Sequence, residues 1–210
     1  HIKNVQLEDR RRLEAGEGDL RRRAMDLLHP ARLAMDQWEA NRRRPSAADQ
    51  VAIRKSIDGA TRLIPEFAAA WLEEGRLRWM KGDETGAEEA FGKVLADSSL
   101  AYLGRMYRAR ARMSRYEDGR PLPPRLPGGR KLPKRYQLPR ETESQQRLGA
   151  SIITDLEAFA GDIQKGRSDP RSAYILALLD LCRARTPEEF LDAAARMKPA
   201  IDSLHIPRWE

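Results

Sequence analysis

The chain has 210 residues, of which 40% are hydrophobic, 34% charged and 6% aromatic, and its formal net charge is +7. That length can bury a core as one domain or as two small ones, while its apolar runs, such as Ile175–Leu179, are far too short to span a bilayer. The single cysteine, Cys182, excludes an internal disulfide framework and a cysteine-cluster zinc site.

Abundant Leu and Ala with few aromatics suit helices that bury narrow apolar stripes. No β-branched run alternates with period two, so the expectation is an all-α chain with almost no sheet. The first residues are His1-Ile2 and not Met, which reads as a fragment or processed product of a larger protein. Any leader or anchor would then have been lost with the preceding part. The basic excess is local. Arg120, Arg125, Arg130, Lys131, Lys134, Arg135 and Arg140 fall between Gly119 and Arg140 with no acid among them, and 32 basic and 32 acidic residues remain elsewhere.

In chain order, residues 4–28 read as helical, with Leu13, Leu20, Leu27 and Leu28 apolar and a weak point at Gly16 and Gly18. Pro30 is expected to open a second helix, from Ala31 to about Arg43, carrying Leu33, Met35 and Trp38. Ser46 with Asp49 three residues on forms a capping pattern for a helix to about Leu63, closed by Pro65. Two helices follow near 67–81 and 84–97, joined by a glycine-acid turn, and another runs from about Leu100 to Tyr116. The segment 119–140 holds six prolines and three glycines, so it reads as an extended strap or linker. Thr142 then starts a helix to about 165. Asp169-Pro170 and Thr186-Pro187-Glu188-Glu189 mark two further helix starts. The expected organisation is a helical array over 1–116, a proline-rich basic strap over 117–141, and C-terminal helical hairpins over 142–210.

Within the array, Trp71 and Gly75 are followed by Ala87, sixteen residues after Trp71, and by Phe91 four residues later. Pro65 precedes this unit and Lys81-Gly82-Asp83 falls at the turn between its helices. A second unit begins Leu100-x2-Leu103-Gly104-x2-Tyr107. These positions resemble the tetratricopeptide repeat, whose pattern is Trp-x2-Leu-Gly-x2-Tyr, then Ala-x3-Phe and a closing Pro. The sequence departs from it at Glu74, Arg78 and Ser99, which stand where Leu, Tyr and Pro are usual, and Trp79 stands next to the missing Tyr. The best repeat spans 65–99. The resemblance implies antiparallel helical hairpins stacked as a superhelix, with small Gly75 and Ala87 at the close helix approach and Trp71 and Phe91 filling between hairpins. The Arg/Ala-rich composition is similar to that of GC-rich bacterial proteins, in which such arrays follow signalling or secretion domains.

Little here is catalytic. His1, His29 and His205 lie in no metal-ligand spacing, no phosphate loop or nucleophile elbow occurs, and Cys182 within YILALLDLC reads as a buried, inert thiol. Glu73–Glu74 and Glu88–Glu89 are adjacent pairs that point apart on a helix and read as a solvated face. No cofactor or metal is expected, and no enzymatic activity.

What remains is recognition. The resemblance implies that the first helix of each hairpin lines a groove for a peptide or partner helix. One such helix would present Ala69, Leu72, Arg76, Trp79 and Met80, and the next Ala101, Arg105 and Arg108. Leu72, Arg76, Trp79, Met80, Arg105 and Arg108 are therefore the candidate partner-binding residues, suited to an acidic, hydrophobic segment. The other reading of the same positions is that Trp79 and Met80 are core and the arginines ordinary solvated charges. The alternative function is binding of nucleic acid or an anionic surface through the seven cations of the strap. The expected compartment is cytoplasmic, or periplasmic if a leader has been removed.

Overall fold

A computed structural model describes residues 2–41, 45–118, 142–165, 172–184, 189, 192–197 and 199. They form α1 (Ile2–Asn41), α2 (Ala47–Leu63), α3 (Ala68–Met80), α4 (Glu84–Val94), α5 (Ala101–Asp118), α6 (Glu143–Gln164) and α7 (Ser172–Arg183). Residues 192–197 are helical as well. Among the described residues there is no strand, and no helix is long and apolar enough to cross a membrane.

Local signals fix the starts of α2, α4 and α6. The Ser46 hydroxyl accepts from the Asp49 N–H at 3.2 Å and the Asp49 carboxylate accepts from the Ser46 N–H at 3.0 Å. Thr142 and Gln145 exchange the same two bonds at the start of α6, at 3.2 and 2.9 Å. Each box satisfies two backbone donors that a helix end otherwise leaves orphaned. Asp83 caps α4 by accepting from the Gly86 N–H at 2.9 Å. Gly82 makes the preceding turn at φ 81°, a conformation glycine adopts at no steric cost. The starts expected at Asp169 and Thr186 lie outside the described residues.

Pro30 does not open a second helix. α1 runs through it as one helix, although an interior proline costs about 3 kcal/mol. Tertiary packing outweighs that cost. Ala24, Leu28, Ala31 and Met35 follow one another at intervals of four, three and four, and all are fully buried. They form a single stripe against Ile53, Ile57 and Ala60 of α2, and a break at Pro30 would remove Ala24 and Leu28 from it. Gly16 and Gly18 likewise sit inside α1, each facing open space.

Sequential helices pack on one another, α1 on α2, α3 on α4, α4 on α5 and α5 on α6, and the alternate helices α1, α3 and α5 also touch. α3 lies between two apolar clusters. Ala70, Leu77 and Met80 join the α1–α2 cluster. Ala68 and Leu72 join a larger one that takes in Phe91 and Val94 of α4, Met106 and Tyr107 of α5, Leu156 and Phe159 of α6 and Ile175 and Leu178 of α7. That second core is continuous from α3 to α7.

Two glycines set the helix spacing. A Cβ on Gly75 would stand against the Phe91 ring, with Cζ only 2.9 Å away. One on Gly104 would meet the Val94 Cβ at 3.0 Å and the Phe91 carbonyl oxygen at 3.1 Å. Both contacts are too close for a larger residue, so α3, α4 and α5 approach with backbone almost against side chain.

Candidate functional site

The middle of α3 is charged and yet buried. Glu73 and Glu74 are each 2% exposed and Arg76 is 3% exposed. The expectation of a solvated face at Glu73 and Glu74 is thus overturned. Adjacent positions on a helix do point apart, but here one carboxylate points toward α1 and the other toward α2. α3 has neighbours on most sides, and only Ala69, Trp71, Arg78 and Trp79 along it keep partial exposure.

Each charge is neutralised across helices. Arg76 donates from Nε to Glu39 at 3.0 Å, from Nη1 to Glu73 at 2.8 Å and from Nη2 to Asp36 at 2.7 Å. The Tyr107 hydroxyl donates to the second Glu39 oxygen at 3.0 Å. Burial pushes the Glu73 carboxyl above its ordinary range, with Arg76 opposing that shift. Burial works against the charge on Arg76, but Tyr107, Glu73, Glu39 and Asp36 together outweigh it and raise its pKa. Glu74 accepts from Arg54 of α2 and from Arg78 Nε, the latter at 2.6 Å. No buried side-chain polar atom lacks a partner among the described residues, as a low-dielectric interior demands.

α5 carries a second set. Arg105 pairs with Asp162 at 2.6 Å. Arg108 grips buried Asp155 with Nε and Nη2, and this contact raises the Arg108 pKa. Arg112 reaches the same carboxylate at 2.9 Å and Glu88 at 2.8 Å, and Arg115 also pairs with Glu88. The spacing of 105, 108, 112 and 115 keeps all four on one stripe, facing carboxylates of α4 and α6.

An aromatic row crosses the α1–α3–α5 seam. Trp38 meets Trp79 edge-to-face at 6.1 Å, Trp79 meets Tyr107 at 6.5 Å, and Tyr107 stacks on Phe91 at 5.3 Å. The Trp79 indole N–H points to the Ser114 hydroxyl at 3.4 Å. The Arg110 guanidinium lies over Trp79, 4.6 Å from the ring centre. Trp38, Trp79, Arg110 and Ser114 are all partly exposed.

The expected partner-binding residues are therefore dispersed. Leu72 and Met80 are core residues of two different clusters. Arg76 is interior and saturated by three carboxylates, while Arg105 and Arg108 are engaged by α6. Of the six, Trp79 alone is a partly exposed aromatic on the seam. Sequence reasoning missed Trp38 and Arg110 as its companions. The available signal was Arg110 itself, which sits off the stripe of the other four α5 arginines. Arg120, Arg125, Arg130, Lys131, Lys134, Arg135 and Arg140 lie outside the described residues. Cys182 is partly exposed and packs at the edge of the larger core, so it is not the fully buried thiol expected. His29 is exposed on α1. Among the described residues no group of three or more His, Cys, Asp or Glu could hold a metal ion. Compared with known protein families, curated proteins and solved structures, the chain matches none.

Proposed function

We propose that this chain is a non-enzymatic protein-interaction module, a tetratricopeptide-like stack of helical hairpins that holds a peptide segment of a partner on the face built by α1, α3 and α5. The observation that carries this reading is the aromatic seam. Trp38 and Trp79 come from two alternate, touching helices, and both remain partly exposed although larger clusters lie directly behind them. Partly buried tryptophans set in rigid surroundings are the side chains from which hot spots are most often built. The saturated ion-pair network beneath holds their backbones in place, so a ligand would meet a preformed surface. The motif positions support the same reading, since Gly75 of α3 faces the Phe91 ring of α4 and Ala87 is buried in the same core.

The test is selection of random linear peptides displayed on phage against the immobilised full chain, followed by titration of chosen peptides while tryptophan emission is recorded. Peptides that shift or quench the emission, and whose binding weakens in Trp38→Ala, support the module. Enrichment no better than on a bare surface, or binders indifferent to Trp38, would refute it.

A further inference from the structure

We infer that Arg110 is a carboxylate receptor, and that the segment held on the α1–α3–α5 face carries an Asp or a Glu next to a large apolar side chain. The inference rests on the proposed module and specifies what its surface selects.

Two guanidinium groups lie near the Tyr107 ring, Arg76 at 5.7 Å from its centre and Arg110 at 5.8 Å. Their surroundings are opposite. Arg76 is held by Asp36, Glu39 and Glu73. Arg110 has no carboxylate partner among the described residues. On α5 itself, Arg105, Arg108, Arg112 and Arg115 are each paired. Arg110 is two residues from both Arg108 and Arg112, about 200° around the helix, so it cannot reach the carboxylates they use. Glu39, which accepts from the Tyr107 hydroxyl, is already committed to Arg76.

Its seat over an aromatic ring makes this cation a receptor rather than a surface charge. Its guanidinium carbon lies over the Trp79 ring, 4.6 Å from the ring centre, a cation–π contact that holds the group in place and leaves its five N–H donors without a carboxylate. A planar fork of this kind matches a carboxylate with two parallel hydrogen bonds. Partial burial strips water from the donors and strengthens such a bond over one made in open solvent. Trp38, set edge-on to Trp79, gives an apolar side chain next to that carboxylate a wall to lie on. Charge and shape thus ask for the same dipeptide character, an acid beside an apolar residue.

The experiment uses two phage libraries of random dodecamers, one complete and one encoded without Asp or Glu, selected in parallel on the full chain. Binders are then measured as synthetic amidated peptides against the wild type, Arg110→Gln, Arg110→Lys and Arg115→Gln, each variant first checked for an unchanged melting temperature. Expected are acidic–apolar binders from the complete library alone, with affinity falling about tenfold to a hundredfold in Arg110→Gln, the range of a lost charge-assisted pair. Arg110→Lys is expected to recover part of that loss and Arg115→Gln to change little. Equal yield from the acid-free library, or unchanged affinity in Arg110→Gln, overturns the receptor and leaves the peptide module standing. No binders from either library overturns both. If a twenty-nucleotide oligo-dT binds the wild type and is lost in Arg110→Gln, the guanidinium selects phosphate, which also overturns the assignment.

Discussion

Arg76→Met is the sharpest test of what the α3 charges do. Methionine keeps most of the stem's volume and removes the guanidinium that Glu73, Glu39 and Asp36 share. Removing one partner from a buried ion pair costs about 3–5 kcal/mol, because the other charge is left uncompensated. Here the three carboxylates do not contribute equally. The Asp36 side chain is 59% exposed and that of Glu39 23%, so water can take up much of what they lose. Glu73, at 3% side-chain exposure, has no such recourse. The expected loss sits at the lower end, about 3 kcal/mol at neutral pH.

Protonation offers Glu73 an escape, and it gives the prediction a second handle. Burial already raises its pKa above the ordinary value of 4.5, against the opposing pull of Arg76. Without Arg76 the folded-state pKa rises further. A folded state that binds a proton more tightly than the unfolded chain loses stability as pH rises from the unfolded value toward the folded one. The cost of Arg76→Met is therefore smaller at pH 5 than at pH 8. Urea unfolding followed by circular dichroism over that range would measure both, with the slope m expected to stay unchanged. Glu73→Gln in the same chain should restore at least half of the loss, since a neutral amide leaves no buried charge behind. A loss below about 0.5 kcal/mol at pH 7, the range of ordinary surface substitutions, would show that Arg76 does not neutralise a buried carboxylate, and the account of α3 would fall.

Two further predictions concern the helix contacts. Gly75→Leu drives a side chain into the Phe91 ring and should destabilise by about 2 kcal/mol or more in the same urea assay, within the range of core overpacking, whereas an unchanged midpoint would place Gly75 away from any close helix approach. Limited trypsin digestion is expected to cut within 120–140, where six of the seven basic residues are not followed by proline, and the two pieces should still co-elute in native gel filtration. Their shared core of Met106, Tyr107, Ile152 and Phe159 holds them together, and separation of the pieces without denaturant would contradict that continuity.

The parts of the fold legible in the sequence are those that depend on near neighbours. Ser46 with Asp49 and Thr142 with Gln145 each close a capping box within four residues, and the spacing from Gly75 to Phe91 encodes one helix–turn–helix contact. Pro30 was misread because its local meaning is a helix start, while the stripe from Ala24 to Met35 that carries α1 through it is rewarded only by α2. Burial of Glu73 and Glu74 was invisible for the same reason. Their partners Arg54, Asp36 and Glu39 lie on other helices, and adjacency in sequence says only that the two side chains diverge.

Two of these paired residues occupy positions at which the sequence differs from the repeat it resembles. Glu74 and Arg78 stand where the pattern asks for Leu and Tyr, and they bond to each other at 2.6 Å one turn apart on α3. With Arg54 of α2 as a third member, they form an ion-pair set that ties two helices. Trp79 sits next to the missing Tyr and lies on the seam beneath Arg110. The charge balance of the helical body hides this arrangement, because equal numbers of acids and bases say nothing about which cation is left over. Four α5 arginines share one stripe and find carboxylates on α4 and α6. The fifth turns the other way, onto Trp79, and a count of charges cannot distinguish it from the rest. Only the direction in which each side chain leaves the helix does that, and this is why the candidate site rests on Arg110 and Trp38 rather than on Arg76, Arg105 and Arg108.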